Sequence, residues 1–346
     1  MITHSTASAK PQLPLSYAPV GIHSVGGLRW YSKLLVFAVL GLIFFGALVT
    51  SHDAGLAVPD WPTSYGENMF LFPPSQWVGG VFYEHVHRLI ASGIGLLTLI
   101  LTAWMTLREK RVWLKKLGAL ALFLVCLQGL LGGLTVLHKL PDAISVSHGM
   151  LAQTFFCLTI LIAYLYSREF EARQLNELAL GRSGQFYWAV FGFALIYSQL
   201  FLGAVLRHSG SGLAIPDFPT MGGSWLPAFD AEMLSHINER RRELALSAVS
   251  ISQVYVHFAH RLWAIVVTFG VLFAAWKIHQ AASSHLLERR TSLSLVALVL
   301  VQFSLGIFTV LSGRQPYITS LHVLTGAALL GLSFLLILRA YSFKQE

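Results

Sequence analysis

Apolar residues run almost unbroken over 34–50, 83–107, 117–137, 144–166, 186–206, 251–276, 291–311 and 318–341, and charged residues collect between the runs. A bilayer core takes about 20 mostly apolar residues per spanning helix. In lipid each backbone N–H and C=O must be satisfied within the segment or its barrel, so runs of this length predict helices rather than strands. The pattern therefore predicts an all-α integral membrane protein with eight transmembrane helices and both termini on one side.

The runs are related in pairs. Gly46 to Thr63 reads GALVTSHDAGLAVPDWPT and Gly203 to Thr220 reads GAVLRHSGSGLAIPDFPT, an offset of 157, with seven of the last nine positions identical. Glu84 to Ala91, EHVHRLIA, aligns with His257 to Ala264, HFAHRLWA, at an offset of 173, so the second half carries a 16-residue insertion in its first loop. Val125 to Leu137 aligns with Val299 to Leu311 at an offset of 174, which carries His148 onto His322. An even number of spans per repeat keeps both halves in one orientation, the hallmark of a parallel repeat. The expected architecture is two pseudo-symmetric four-helix bundles over 31–167 and 186–341. A cytoplasmic segment over 1–30 precedes them and a cytoplasmic linker over 168–185 joins them. The Gly- and Pro-rich GLAVPDWP and GLAIPDFP segments cannot continue a helix and are expected to cap one end of each bundle. The insertion, with Glu239 to Glu243, is expected to form a solvated helix.

Composition sharpens this picture. The chain is 55% hydrophobic and 12% charged, against roughly 25% charged in soluble domains. Its net charge of +8 could suggest nucleic acid, but the basic residues cluster on one side of the predicted spans; Arg240, Arg241 and Arg242 are the exception, in a long outer loop where charge influences topology little. Arg29 and Lys33 precede the first; Arg108, Lys110, Arg111, Lys115 and Lys116 lie between the second and third; Arg168, Arg173 and Arg182 follow the fourth. Lys277, Arg289 and Arg290 lie between the sixth and seventh, and Arg339 and Lys344 close the chain. The positive-inside rule makes these segments and both termini cytoplasmic, so membrane lipid rather than nucleic acid explains the charge. Residues 1–28 lack the apolar stretch of a cleavable signal peptide. Cys126 and Cys157 fall inside the third and fourth spans and are expected to be small core residues.

Histidine carries the candidate chemistry. Of 14 in the chain, His87, His148, His260 and His322 lie a few residues inside the outer ends of the even-numbered spans, where polar side chains are expensive and usually functional. Each half contributes one pair, and the repeat relates the pairs. Zinc would want further Cys, His or carboxylate ligands, and copper a thiolate or Met. Two imidazoles from facing helices, beside Gly129, Gly132 and Gly133, instead suit bis-His ligation of haem iron. Arg88 and Arg261 follow His87 and His260 at the water boundary, where they could pair with haem propionates or extend to lipid headgroups. The halves differ at Glu84, whose partner in the repeat is His257. A carboxylate so near a candidate iron ligand points to proton handling in the first half; the plainer reading is an ion pair with Arg88.

With its AGLAVPDWP loop, the E-x-x-H-R motif at Glu84, His87 and Arg88, the H-R motif at His260 and Arg261, and His148 and His322, the chain resembles the haem A synthases over about 34–341. The resemblance implies an oxidoreductase of the inner (plasma) membrane that oxidises a ring methyl of haem O to a formyl group, making haem A for cytochrome oxidase assembly. It implies that His260 and His322 ligate a haem b cofactor, that His87 and His148 frame the haem O substrate, and that Glu84 is catalytic. It implies haem O synthase, cytochrome oxidase subunit I and a quinol or other electron donor as partners. Many bacterial members carry a cysteine pair in the first outer loop, whereas 54–65 has none. The alternatives are a dihaem b-type electron-transfer cytochrome, which gives Glu84 no task, and a transporter, against which no span is broken by a midplane Pro or charge cluster.

Overall fold

The computed structural model describes residues 22–175, 184–281 and 286–341. Most of the N-terminal segment, the part of the linker containing Arg182, His285 and Lys344 lie outside the described residues. Among the described residues, eight helices are long and apolar enough to cross a bilayer: α1 (Ile22–Ser51), α2 (Gly80–Arg108), α3 (Val112–Leu137), α4 (Asp142–Leu165), α6 (Gly184–His208), α8 (Ile251–Ala281), α9 (Leu286–Leu311) and α10 (Pro316–Ala340). Two shorter helices, α5 (Arg168–Leu175) and α7 (Ala231–Glu243), lie between spans. No strand is present among the described residues, only two isolated bridges. The chain is thus a multi-pass helical membrane protein.

Neighbours follow chain order within each half. Helix α1 packs on α2 and α4, and α3 packs on both α2 and α4; α6 packs on α8 and α10, and α9 packs on both α8 and α10. Further contacts join α1 to α10 and α4 to α6 and α10. Helices α4 and α10 are accordingly the most buried spans, and Phe156 and Ile160 of α4 fill the space left by Gly331 of α10. The outer flanks of the other helices expose Leu96, Phe123, Phe269 and Leu300, as a lipid-facing surface requires.

Away from the candidate histidines, α5 ties the helices together by charge. Glu169 accepts from Nε and Nη2 of Arg339 at 2.8 Å each. Arg173 meets Glu288 at 2.6 Å, and Arg29 meets Glu171 at 3.2 Å. Part of the segment read from sequence as a linker is therefore a clasp spanning α1, α9 and α10.

Two sequence expectations need correcting. Cys157 is buried but Cys126 is exposed, because Cys126 falls on the flank of α3 that faces away from α2 and α4. Nor is α7 a solvated helix: Met233, Ile237 and Arg241, spaced four apart, form a buried stripe. Met233 and Ile237 pack with Ala214, Ile215 and Val254. Asp230 caps the helix by accepting from Met233 N–H at 2.8 Å. Arg241 donates to Ser247 O at 2.7 Å and to Leu213 O. Its neighbours Arg240 and Arg242 stay exposed and pair with Glu243 and Glu239.

Candidate functional site

Each of the four histidines leans on a glycine of the preceding span. A Cβ built on Gly46 of α1 would lie 3.1 Å from Cε1 of His87 on α2; on Gly132 of α3, 3.1 Å from Cε1 of His148 on α4. The second half repeats this, with Gly203 of α6 at 3.2 Å from His260 on α8 and Gly306 of α9 at 3.1 Å from His322 on α10. Such contacts are tighter than side chains normally make, so glycine lets each imidazole reach its position. Within each half the two rings stand in electrostatic range of one another. Nδ1 of His87, His148 and His322 is buried without a partner. Among the described residues no group of three or more His, Cys, Asp or Glu gathers as a metal site, which leaves the paired imidazoles as the donor set.

Above the pairs sit two matching caps. Asp60 accepts from Thr63 Oγ1 at 2.5 Å and from the N–H groups of Tyr65 and Gly66 at 2.8 Å each. Asp217 does the same with Thr220 Oγ1 at 2.7 Å, Gly222 N–H at 2.9 Å and Gly223 N–H at 3.0 Å. Burial pushes both carboxyls up, but these hydrogen bonds outweigh it and hold both below the usual range. Asp60 and Asp217 therefore support the caps above the ordinary Asp pKa, and that support is lost as pH falls through their depressed values. Trp61–Pro62 and Phe218–Pro219 are both cis. The Trp61 indole lies flat on Gly133, where an added Cβ would come within 2.4 Å; the corresponding pair in the second half is Phe218 and Ile307. Gly133→Ala is accordingly expected to cost about 1–3 kcal/mol through overpacking, read as a lower thermal midpoint in detergent.

Each cap is latched to its helix by the residue pair that the motifs singled out. In the first half Val58 N–H donates to Glu84 Oε2 at 2.8 Å and Arg88 Nη2 donates to Glu84 Oε1 at 2.6 Å. Arg88 also donates to Val58 O at 2.7 Å, Asp60 O at 2.7 Å and Thr63 O at 3.1 Å. In the second half Ile215 N–H lies 3.0 Å from His257 Nδ1 and Arg261 Nε lies 3.1 Å from His257 Nε2. Arg261 reaches Ile215 O at 2.8 Å and Thr220 O at 3.4 Å. Glu84 and His257 thus occupy the same latch, although a neutral imidazole has one acceptor nitrogen and satisfies only one of its two donors.

The structure seats the four histidines singled out from sequence on α2, α4, α8 and α10, each against a glycine of the preceding span. Sequence reasoning did not foresee that Arg88 and Arg261 spend their guanidinium groups on cap carbonyls. His85 is fully buried under the first cap: Ser64 Oγ is 3.2 Å from its Nδ1, and Phe72 and Trp77 pack at 5.1 and 4.8 Å between ring centres. Three glutamines were missed. Gln128 and Gln302 approach Nε2 of His148 and His322 at 3.4 and 3.5 Å, and Gln199 approaches His260. A polar residue inside an apolar span was the available signal.

These features define a polytopic helical membrane protein with two imidazole pairs, each beneath a polar cap. Residues 29–334 match the model of the family described as cytochrome oxidase assembly protein, and the chain belongs to that family. It is similar to the "Heme A synthase" of Shewanella oneidensis, 28% identical over 337 residues covering 90% of this chain and 95% of the relative. The "Heme A synthase" of Halalkalibacterium halodurans is 26% identical, covering 86% and 91%. That of Erythrobacter litoralis is 30% identical, covering 72% and 70%.

Proposed function

We propose that this chain is a haem A synthase, which oxidises a ring methyl of substrate haem O to the formyl group of haem A for cytochrome oxidase assembly. The observation that carries this reading is the pair of imidazoles in each half, every ring seated on a glycine and three of the four with a buried Nδ1 that has no partner in the protein. The apolar helix walls and a two-nitrogen donor set fit a flat iron macrocycle better than a bare ion. His260 and His322 hold the resident haem b, and His87 and His148 hold haem O. When bound, the resident haem supplies electron transfer at its iron. The protein's own part is positioning and proton control: the caps shield the imidazole pairs from bulk water, and Arg88 and Arg261 fix them in place. Glu84, on the same helix as His87 and three residues before it, would hold a proton as the methyl is oxidised. The neighbour pattern of the helices supports two four-helix halves, 31–167 for substrate and 186–341 for haem b.

Expression with a haem O source, followed by extraction and mass analysis of the bound haems, tests this. Haem b together with haem O or A is expected. Two haem b per chain would favour a dihaem cytochrome, and no haem would overturn both readings. On the proposed reading haem O synthase delivers the substrate, cytochrome oxidase subunit I receives the product, and a quinol or other donor supplies or accepts electrons.

The protein resides in the cell's inner (plasma) membrane with both termini cytoplasmic, a reading supported by the clustering of Lys and Arg at the ends opposite the caps. In a background lacking Cys126 and Cys157, single cysteines placed within 54–76 or 207–250 should react with an impermeant thiol reagent on whole cells. A cysteine at 110 should not, and labelling there would reverse the topology.

A further inference from the structure

A resident cofactor must stay and a substrate must leave, yet both sites present the same two imidazoles on the same glycines. The difference lies in what touches the rings. Gln199 of α6 sits one helical turn from Gly203, and its Nε2 lies 3.3 Å from each ring nitrogen of His260 and 3.2 Å from His260 O. The matching position in α1, one turn from Gly46, is Leu42, and Nδ1 of His87 is buried with no partner. At the other imidazole, Gln128 and Gln302 occupy matching places. Gln302 is locked by Thr325, whose hydroxyl donates to Gln302 Oε1. The residue matching Thr325 is Leu151, and Gln128 Oε1 is buried without a partner.

A metal-bound histidine keeps its proton on the other ring nitrogen, and the acceptor of that proton fixes the ring and raises its basicity. The oxygen and nitrogen of a glutamine amide exchange places on a half turn and are assigned from the network. Gln199 Oε1 is itself buried and unpartnered; the turn would bring it within 3.3 Å of Nδ1 of His260 as an acceptor, at the expense of the Nε2 bond to His260 O. Leucine at 42 offers His87 nothing.

We propose that Gln199 is a positioning residue that holds His260 for permanent ligation, and that Leu42 leaves His87 unrestrained so that the first half exchanges its haem. The proposal rests on the assignment of haem b to the second half and haem O to the first. The test uses the full-length protein in detergent with haem bound, mixed with excess apomyoglobin as a haem acceptor; loss is followed by absorbance and the departing haem identified by mass. Gln199→Leu should speed haem b loss by about 10–100-fold, the usual effect of removing such a partner, and raise the haem b midpoint potential because a less basic ligand stabilises ferric iron less. Gln199→Glu restores a strong acceptor and should slow the loss and bring the potential back down. Leu42→Gln should slow haem O loss. Unchanged haem b loss in Gln199→Leu, or potentials moving the same way in the Leu and Glu variants, overturns the proposal. Haem b that survives His322→Leu overturns the underlying assignment instead, and that result is read independently of Gln199.

Discussion

Replacing His322 with Leu should leave the chain inserted and folded but strip it of haem b and reduce haem A output to background. Leucine suits the apolar wall of α10, and Gly306 leaves room for it, so the helix has no reason to move. The iron would lose one of its two ligands, and among the described residues no third His, Cys, Asp or Glu gathers with the pair as a metal site to replace it. Removing an outer partner of a ligand already costs about 10–100-fold in metal affinity, and removing the ligand itself should exceed that. His260→Leu should match it. The same change at His87 or His148 should spare haem b and abolish haem O binding, which separates the halves in one set of spectra. A low-spin b-type spectrum persisting in both His260→Leu and His322→Leu would place the resident haem elsewhere.

The spans were legible because lipid permits so few solutions: an apolar run of about 20 residues has nowhere to go but a helix. The predicted run over 34–50 starts 12 residues inside α1 and ends one residue short of it, and the ends of the other runs agree to within five residues. The histidine pairs were legible because polar groups at matching depths in a repeat stand out against leucine. The latch was not. Nothing in E-x-x-H-R says that Arg88 turns toward three carbonyls of a loop about 25 to 30 positions earlier, since a guanidinium at the water boundary serves lipid, propionate or backbone equally well. The face of α7 was hidden for another reason. Its charge content suggested water, but burial depends on the stripe of Met233, Ile237 and Arg241, and one arginine of three is satisfied by carbonyls that only the folded cap provides. The glycine cradle lay in plain view: Gly46 with Gly203, and Gly132 with Gly306, fall inside the repeat matches, yet their contact with histidine needs the helix pairing to be known.

Changing Glu84 to His should keep the first cap closed and the haem content normal while haem A formation falls by roughly 100-fold or more, the range for a positioned acid or base. The substitution transplants the second half's own latch into the first. There the His257 nitrogens lie 3.0 and 3.1 Å from Ile215 N and Arg261 Nε, one of them accepting, so an imidazole at this position is compatible with a closed cap. The first half nevertheless sets a carboxylate, 3% exposed, against a guanidinium, and removing both charges from water has a desolvation cost that a neutral acceptor avoids. If latching were the whole task, the neutral solution of the second half would serve in both places; the latch carboxylate stands only in the half proposed to hold the substrate. Glu84→Gln gives the complementary measurement, since it keeps the shape and one acceptor but loses the base. Its haem A output should fall as far as that of Glu84→His, with haem b and bound haem O retained. An Arg88→Lys control keeps a cation but forfeits the bridging donors, so it should loosen the cap, seen as faster proteolysis of 54–79, with a smaller loss of output. Were Glu84→His to make haem A at the normal rate, Glu84 would be a latch and nothing more, and the proton-handling group of the first half would have to be sought elsewhere.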